Sequence, residues 1–151
     1  MPNQHGFSIL ELVIILLLVS ILSVYVIFNW PNTVINLNGQ AQQLANDLRY
    51  TQALAMNNGQ RFKLVVTGNT YQIQNNSGTP ITLAQGSTTV SLGSGITFGS
   101  LTTSTLIYDG KGIPYDSSGT ALSSDANFPL ISSGQTTTVV VTQTTGRVIV
   151  Q

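Results

Sequence analysis

Glu11 is the one charged residue in an apolar run, FSILELVIILLLVSILSVYVIF, that occupies positions 7–28. Placing a carboxylate in hydrocarbon costs on the order of 2.5–3.5 kcal/mol on insertion scales, so a partner of opposite charge is needed to offset it. A second chemistry-bearing position is Arg147, directly after the turn Thr144-Thr145-Gly146; with Lys111 it supplies two of the chain's five basic residues. A third is the set Asp109, Asp116 and Asp125, which lie in or beside segments rich in Gly, Ser and Asp. Their spacing matches no EF-hand loop, and Asp is common in turns, so no metal site is read from them. Cysteine is absent and His5 is the only histidine. Disulfides, thiol nucleophiles, His-based dyads and multi-histidine metal centres are thereby excluded within one chain. The remaining Ser, Lys and Asp residues show no nucleophile or acid/base spacing. The sequence reads as a non-enzyme without a cofactor.

The elements that must position these groups begin with the apolar run. At about 1.5 Å rise per residue, a helix over 7–28 spans the ~30 Å hydrocarbon layer. A cleaved secretory signal would place Lys or Arg before the run and small residues after it. Here MPNQHG carries neither, and the run ends in VIFNWPN. A plain membrane anchor has no use for Glu11. Trp30 suits the headgroup level, and Pro31 removes a backbone donor, so a bend is expected there. Beyond it Val34, Leu37, Ala41, Leu44, Leu48 and Ala55 recur at helical spacing between Gln, Asn, Asp and Arg residues, which predicts an amphipathic helix resting on a core. Asn57-Asn58-Gly59 reads as its stop. A single helix over 7–57 would be about 75 Å long.

After Gly59 the composition shifts to Thr, Ser, Gly and Val. Strands are expected at 61–66, 70–74, 89–92, 96–98, 105–108, 137–142 and 147–150, with hairpin turns at Thr67-Gly68-Asn69 and Thr144-Thr145-Gly146. The stretches 110–125 and 128–134 read as irregular. One helix followed by antiparallel strands gives an α+β layering. The length of 151 residues suits one modest domain plus an attachment device, and charged residues make up only 7% of it, against roughly 25% in ordinary globular chains. With zero formal net charge, the chain has no general pull toward nucleic acid or anionic lipid.

Gly6-Phe7-Ser8-Ile9-Leu10-Glu11-Leu12-Val13 resembles the prepilin processing motif of type IV pilins and type II secretion pseudopilins. The resemblance implies that a prepilin peptidase cuts between Gly6 and Phe7 and methylates the new Phe7 amine. It also implies that Glu11 serves filament assembly by pairing with the Phe7 amine of its own or a neighbouring subunit. The leader departs from many prepilins in lacking Lys and Arg, which weakens the positive-inside signal.

The segments LRYTQALAMNNGQRFKLVVTGNTYQI, LIYDGKGIPYDSSGTA and TTGRVIVQ are similar to the GspH/FimT branch of pseudopilins and minor pilins. The implied architecture is a pilin-like fold, a long N-terminal transmembrane and amphipathic helix packed on an antiparallel β-sheet head. Its divisions are a leader at 1–6, a transmembrane half-helix at 7–31, an amphipathic half-helix at 32–58 and the head at 59–151. The implied setting is the bacterial inner membrane, single-pass with the head in the periplasm, before incorporation into a pilus or pseudopilus. Implied partners are the prepilin peptidase, other pilins or pseudopilins, and inner-membrane lipid. The expected role is a structural minor subunit near the filament tip, with a major pilin as the nearest rival. Some members of the branch bind DNA through a Gly-Arg-x-Arg motif. Here it reads Gly146-Arg147-Val148-Ile149, leaving Arg147, with Lys111, as the DNA contacts on offer. Phosphate affinity grows with the number of charges neutralised, so the loss of one arginine disfavours that role.

Overall fold

The computed structural model describes residues 8–28, 32–83 and 85–151, with side chains described throughout except at 24–28 and 32–34. Its elements fall into two compact units, Met1–Asn32 and Thr33–Gln151. In the first unit, helix α1 spans Ile9–Phe28. Helix α2 spans Asn32–Asn58 and belongs, from Thr33 on, to the second. The expected bend at Trp30 and Pro31, and the middle of the expected single helix, lie outside the described residues.

Helix α2 forms because its apolar residues keep helical spacing. Leu37, Ala41, Leu44, Ala45, Leu48 and Ala55 are buried, and Thr51 joins them by returning its hydroxyl to the Asp47 carbonyl at 2.7 Å. The helix ends where Gly59 takes a left-handed φ of 60°. Gly59 N–H donates to Met56 O and Gln60 N–H to Ala55 O, the Schellman arrangement that satisfies carbonyls at a helix terminus.

Among the described residues nine strands follow: β1 Phe62–Thr67, β2 Thr70–Asn75, β3 Val90–Ser91, β4 Thr97–Phe98, β5 Thr105–Tyr108, β6 Pro114–Tyr115, β7 Ala126–Ser132, β8 Gln135–Val141 and β9 Val148–Val150. They form two antiparallel sheets, ordered β3-β2-β1-β5-β6 and β4-β7-β8-β9. Inward residues alternate along the strands: Phe62, Leu64 and Val66 on β1, Leu106 and Tyr108 on β5, Ala126, Phe128 and Leu130 on β7, and Val139 and Val141 on β8 are buried. All of them join the stripe of α2 in one hydrophobic cluster.

The β1–β2 hairpin pairs Thr67 with Thr70 around Gly68-Asn69. Gly68, with φ 57°, holds the first central position, the placement a type II′ turn requires. The expectation of irregular chain over 128–134 is overturned. Residues Ala126–Ser132 form the long strand β7 between β4 and β8. Pro129 is accommodated because its main chain faces the point where short β4 ends: its carbonyl accepts from Gly99 N–H at 2.8 Å. The donor that proline lacks is therefore missing at a ladder end rather than in mid-ladder. Ser133 and Gly134, with φ 47° and 78°, then make the two-residue turn into β8, with Ser132 opposite Gln135. Short β6 likewise lies within the stretch 110–125 that reads as irregular.

Because the stripe of α2 is buried in the same cluster as the strands, deleting residues up to Pro31 is expected to leave a soluble, β-rich head. It should unfold in one cooperative urea transition. Aggregation of the truncated chain, or a non-cooperative transition, would contradict that division.

Candidate functional site

The chemistry-bearing residues fall on two surfaces, one in each unit. On α1, the described apolar side chains from Ile9 to Leu22 are all exposed, from 85% at Ile9 to 45% at Ile15. A helix apolar on every side is at home only among other apolar surfaces. Ser20 and Ser23 do not interrupt this. Their hydroxyls donate to Leu16 O at 2.7 Å and Val19 O at 2.8 Å, one turn back within the helix, so neither needs an outside partner. Glu11 sits in the first turn of α1 and is exposed. Its negative charge suits the positive end of the helix dipole, which holds the helix start compatible with a carboxylate before any partner arrives. Gly6 and Phe7, the expected processing and methylation positions, lie outside the described residues.

No helix among the described residues is long and apolar enough to cross a membrane. The backbone of α1 runs on through Phe28, whereas its described side chains stop at Ser23, and a span needs about 20 apolar residues.

On the head, polar side chains of α2 act as clasps to the sheets. Tyr71 of β2 donates its hydroxyl to Asp47 Oδ2 at 2.6 Å. Burial pushes the Asp47 carboxyl above its ordinary range, and the tyrosine hydrogen bond opposes this. Burial also raises Tyr71, followed by its hydrogen bond to Asp47 and that carboxylate's charge, so the phenol stays protonated. Gln40 Oε1 accepts from Gly93 N–H at 3.0 Å, and Asn38 Oδ1 from the Thr137 hydroxyl at 3.0 Å. Gln52 Nε2 donates to both Gly112 O and Thr145 O at 2.9 Å. That bridge draws the loop carrying Lys111 and the turn preceding Arg147 to one end of the head. Lys111 and Arg147 are both exposed.

Arg49 is the residue that sequence reasoning left out of this site. It donates through Nη2 to Val148 O at 2.9 Å and through Nη1 to Asn46 Oδ1 at 2.8 Å. With Arg147 it lines an open groove of about 640 Å³, completed by Gln52, Thr145, Val148, Ile149 and Val150. Its position on the polar side of α2 was the only sequence signal, and nothing local ties that position to β9.

The three head aspartates are occupied in turns. Asp116 Oδ1 accepts from Ser118 N–H, the Ser118 hydroxyl and Thr120 N–H, and these bonds, led by the Ser118 hydroxyl, hold its carboxyl below the usual range. Asp109 Oδ1 accepts from Lys111 and Ile113 N–H. Although burial acts to raise Asp109, these bonds, the Tyr115 hydroxyl and the Lys111 charge together lower it. Asp125 Oδ1 accepts from Gln143 N–H at 2.9 Å. The described residues contain no group of three or more His, Cys, Asp or Glu placed to hold a metal ion.

The family model described as type II transport protein GspH matches residues 40–146, and that of the prokaryotic N-terminal methylation motif matches residues 1–27. Comparison with curated protein sequences finds no match. Among solved structures, the minor pseudopilin EpsH from the type 2 secretion system of Vibrio cholerae is similar at TM-score 0.59 and 13% identity, covering 77% of this chain and 96% of that one. The type IV minor pilin FimU of Pseudomonas aeruginosa is similar at TM-score 0.56 and 16% identity, over 76% of this chain and 87% of the other. At these identities the likeness establishes the fold of the head, helix α2 packed on antiparallel sheets, which is that of the pilins.

Proposed function

The chain belongs to the type II transport protein GspH family, and from that premise we propose that it is a membrane-anchored structural subunit of a type II secretion pseudopilus or a type IV pilus, placed near the tip. One observation carries the reading: a helix exposed and apolar on every described side, with a single carboxylate in its first turn. Such a surface is stable in a bilayer before assembly and against other copies of the same helix after it. The N-terminal methylation motif supports removal of residues 1–6 by a prepilin peptidase, methylation of Phe7, and a role for the resulting amine as the partner of Glu11. Residues 7–31 then cross the inner membrane once, and the head lies in the periplasm. The turn-bound aspartates and the hydrogen-bonded polar clasps favour a packing role over chemistry on a substrate.

The test is to shear filaments from cells carrying the gene with and without the peptidase, and to probe each fraction for the head. The subunit is expected in the filament pool only when the peptidase is present. Its confinement to the membrane pool in both strains would overturn the reading.

DNA uptake is the second reading, and the approach of Arg49 to Arg147 bears on it, since two guanidiniums rather than one line the groove. Two or three cations still give only a shallow salt dependence. Duplex DNA is therefore expected to bind weakly, to be released by modest salt, and to bind more weakly still to Arg147→Ala in a fluorescence titration. Submicromolar affinity at physiological salt would promote this reading over the first.

A further inference from the structure

Among the described residues, strand β9 is the outer strand of its sheet and pairs with β8 alone. Gln151 and Thr138 exchange both main-chain hydrogen bonds at 2.9 Å, and Thr142 N–H donates to Arg147 O at 2.9 Å. Main-chain groups alternate in direction along an antiparallel strand, so Arg147, Ile149 and Gln151 face β8, while Val148 and Val150 turn theirs outward. The hydrogen bond from Arg49 Nη2 to Val148 O lies on that outward side. Both main-chain groups of Val150 and the N–H of Val148, a core residue only 4% exposed, thus face the groove between β9 and α2. They sit two residues apart, a repeat of about 6.6 Å along a strand.

The charge of the groove is equally particular. Its lining contains two of the chain's five basic residues, Arg49 and Arg147, and no acidic one. In a chain with so few charges this concentrates positive potential along one strand edge, and natural edges are commonly guarded by charge against unwanted pairing.

We infer that β9 is a docking edge for an extended acidic segment of a partner protein. The segment adds to the sheet as a further strand, hydrogen-bonding to Val148 and Val150, and sets a carboxylate against Arg49 and Arg147. Main-chain donors and an acceptor at strand spacing match the backbone of an extended peptide, whereas a phosphodiester chain offers acceptors but no matching donors. On docking, Arg49 exchanges the Val148 carbonyl for the carboxylate, a charge-assisted bond stronger than the neutral one it replaces. The edge is thereby closed to uncharged strands and open to acidic ones. This holds for the single subunit and does not depend on filament assembly.

The test uses the full-length chain in detergent micelles with a capped pentapeptide, Thr-Val-Glu-Val-Glu, as probe, read by amide hydrogen exchange and chemical shift. Saturating peptide is expected to slow exchange at the Val148 and Val150 amides by roughly tenfold, the equivalent of about 1.4 kcal/mol. The matching lysine peptide, and the acidic peptide N-methylated at alternate residues, should leave both amides unchanged. Arg147→Glu should weaken the acidic peptide by roughly tenfold and admit the lysine peptide. Equal effects of the acidic and lysine peptides on the native chain, no change at either amide, or perturbation by duplex DNA alone would each overturn the inference.

Discussion

Replacing Glu11 with Gln is expected to leave the protein inserted in the membrane and cut after Gly6, yet to remove most of it from the filament pool. The substitution keeps the size of the side chain and abolishes its charge, so insertion becomes no harder: the cost of a carboxylate inside a bilayer, on the order of 2.5–3.5 kcal/mol, gives way to that of a neutral amide. Recruitment moves the other way. In the proposed filament a neighbouring subunit's Phe7 amine would lose the one carboxylate that offsets it in hydrocarbon, and breaking one side of a buried ion pair costs about 3–5 kcal/mol. Even about 3 kcal/mol corresponds to roughly a hundredfold shift in a binding equilibrium. Quantifying the mutant in membrane and sheared-filament fractions against the wild type separates the two effects. An unchanged filament pool would show that Glu11 is not the contact that sets register. A subunit at the tip has fewer neighbours, so a smaller loss than in a mid-filament subunit is the signature of that position.

The second large effect is expected at Gly146, where the head has no room for even one methyl group. An added Cβ would lie 2.7 Å from Gln52 Nε2, from Gly112 O and from Tyr108 Cε1, and the residue holds φ at +67°. Tyr108 cannot withdraw, being fully buried, with its hydroxyl donating to Gly146 O at 3.4 Å. Gln52 cannot move without releasing both Gly112 and Thr145. Left-handed backbone costs a non-glycine residue about 1–2 kcal/mol, and overpacking a rigid site adds about 1–3 kcal/mol. Gly146→Ala should therefore lower the head's unfolding free energy by about 3–4 kcal/mol in urea, a large share of the ~5–15 kcal/mol typical of a domain. The control is Gly134→Ala, where φ is +78° but nothing lies within 4 Å, so only the backbone cost of about 1 kcal/mol should appear. Equal losses at the two positions would show that the crowding around Gly146 relaxes without cost.

Much of this was legible from residue order, and the exceptions have physical causes. The stripe through Leu37, Ala41, Leu44 and Leu48 predicted the buried face of α2, because helical period and burial coincide there. Gly59 and Gly68 marked the helix stop and first hairpin, since both positions require left-handed backbone. Strand β7 runs through a stretch, 128–134, whose Ser and Gly residues read as irregular chain, and its Pro129 fits a strand only because the β4 ladder ends beside it. The division of the strands into two sheets depends on which strands pair across long loops, and periodicity within each strand carries no such information. At the site, Glu11 and Arg147 stood out as charges in neutral surroundings. Arg49 did not, because its partner Val148 lies 99 residues away, and its role follows from how α2 packs on the head. Amphipathic spacing does not show that Gln40, Asp47 and Gln52, on the polar side of α2, fasten the helix to the segment before β4, to β2 and to the β5–β6 and β8–β9 turns.

If residues 1–6 are not removed, there is no free Phe7 amine for Glu11 to pair with, and the proposed filament contact cannot form. Intact-mass measurement of the mature protein, extracted from native membranes with the peptidase present, tests this directly. The predicted mass is that of a chain beginning at Phe7 and carrying one added methyl group; a chain still beginning at Met1 would contradict it.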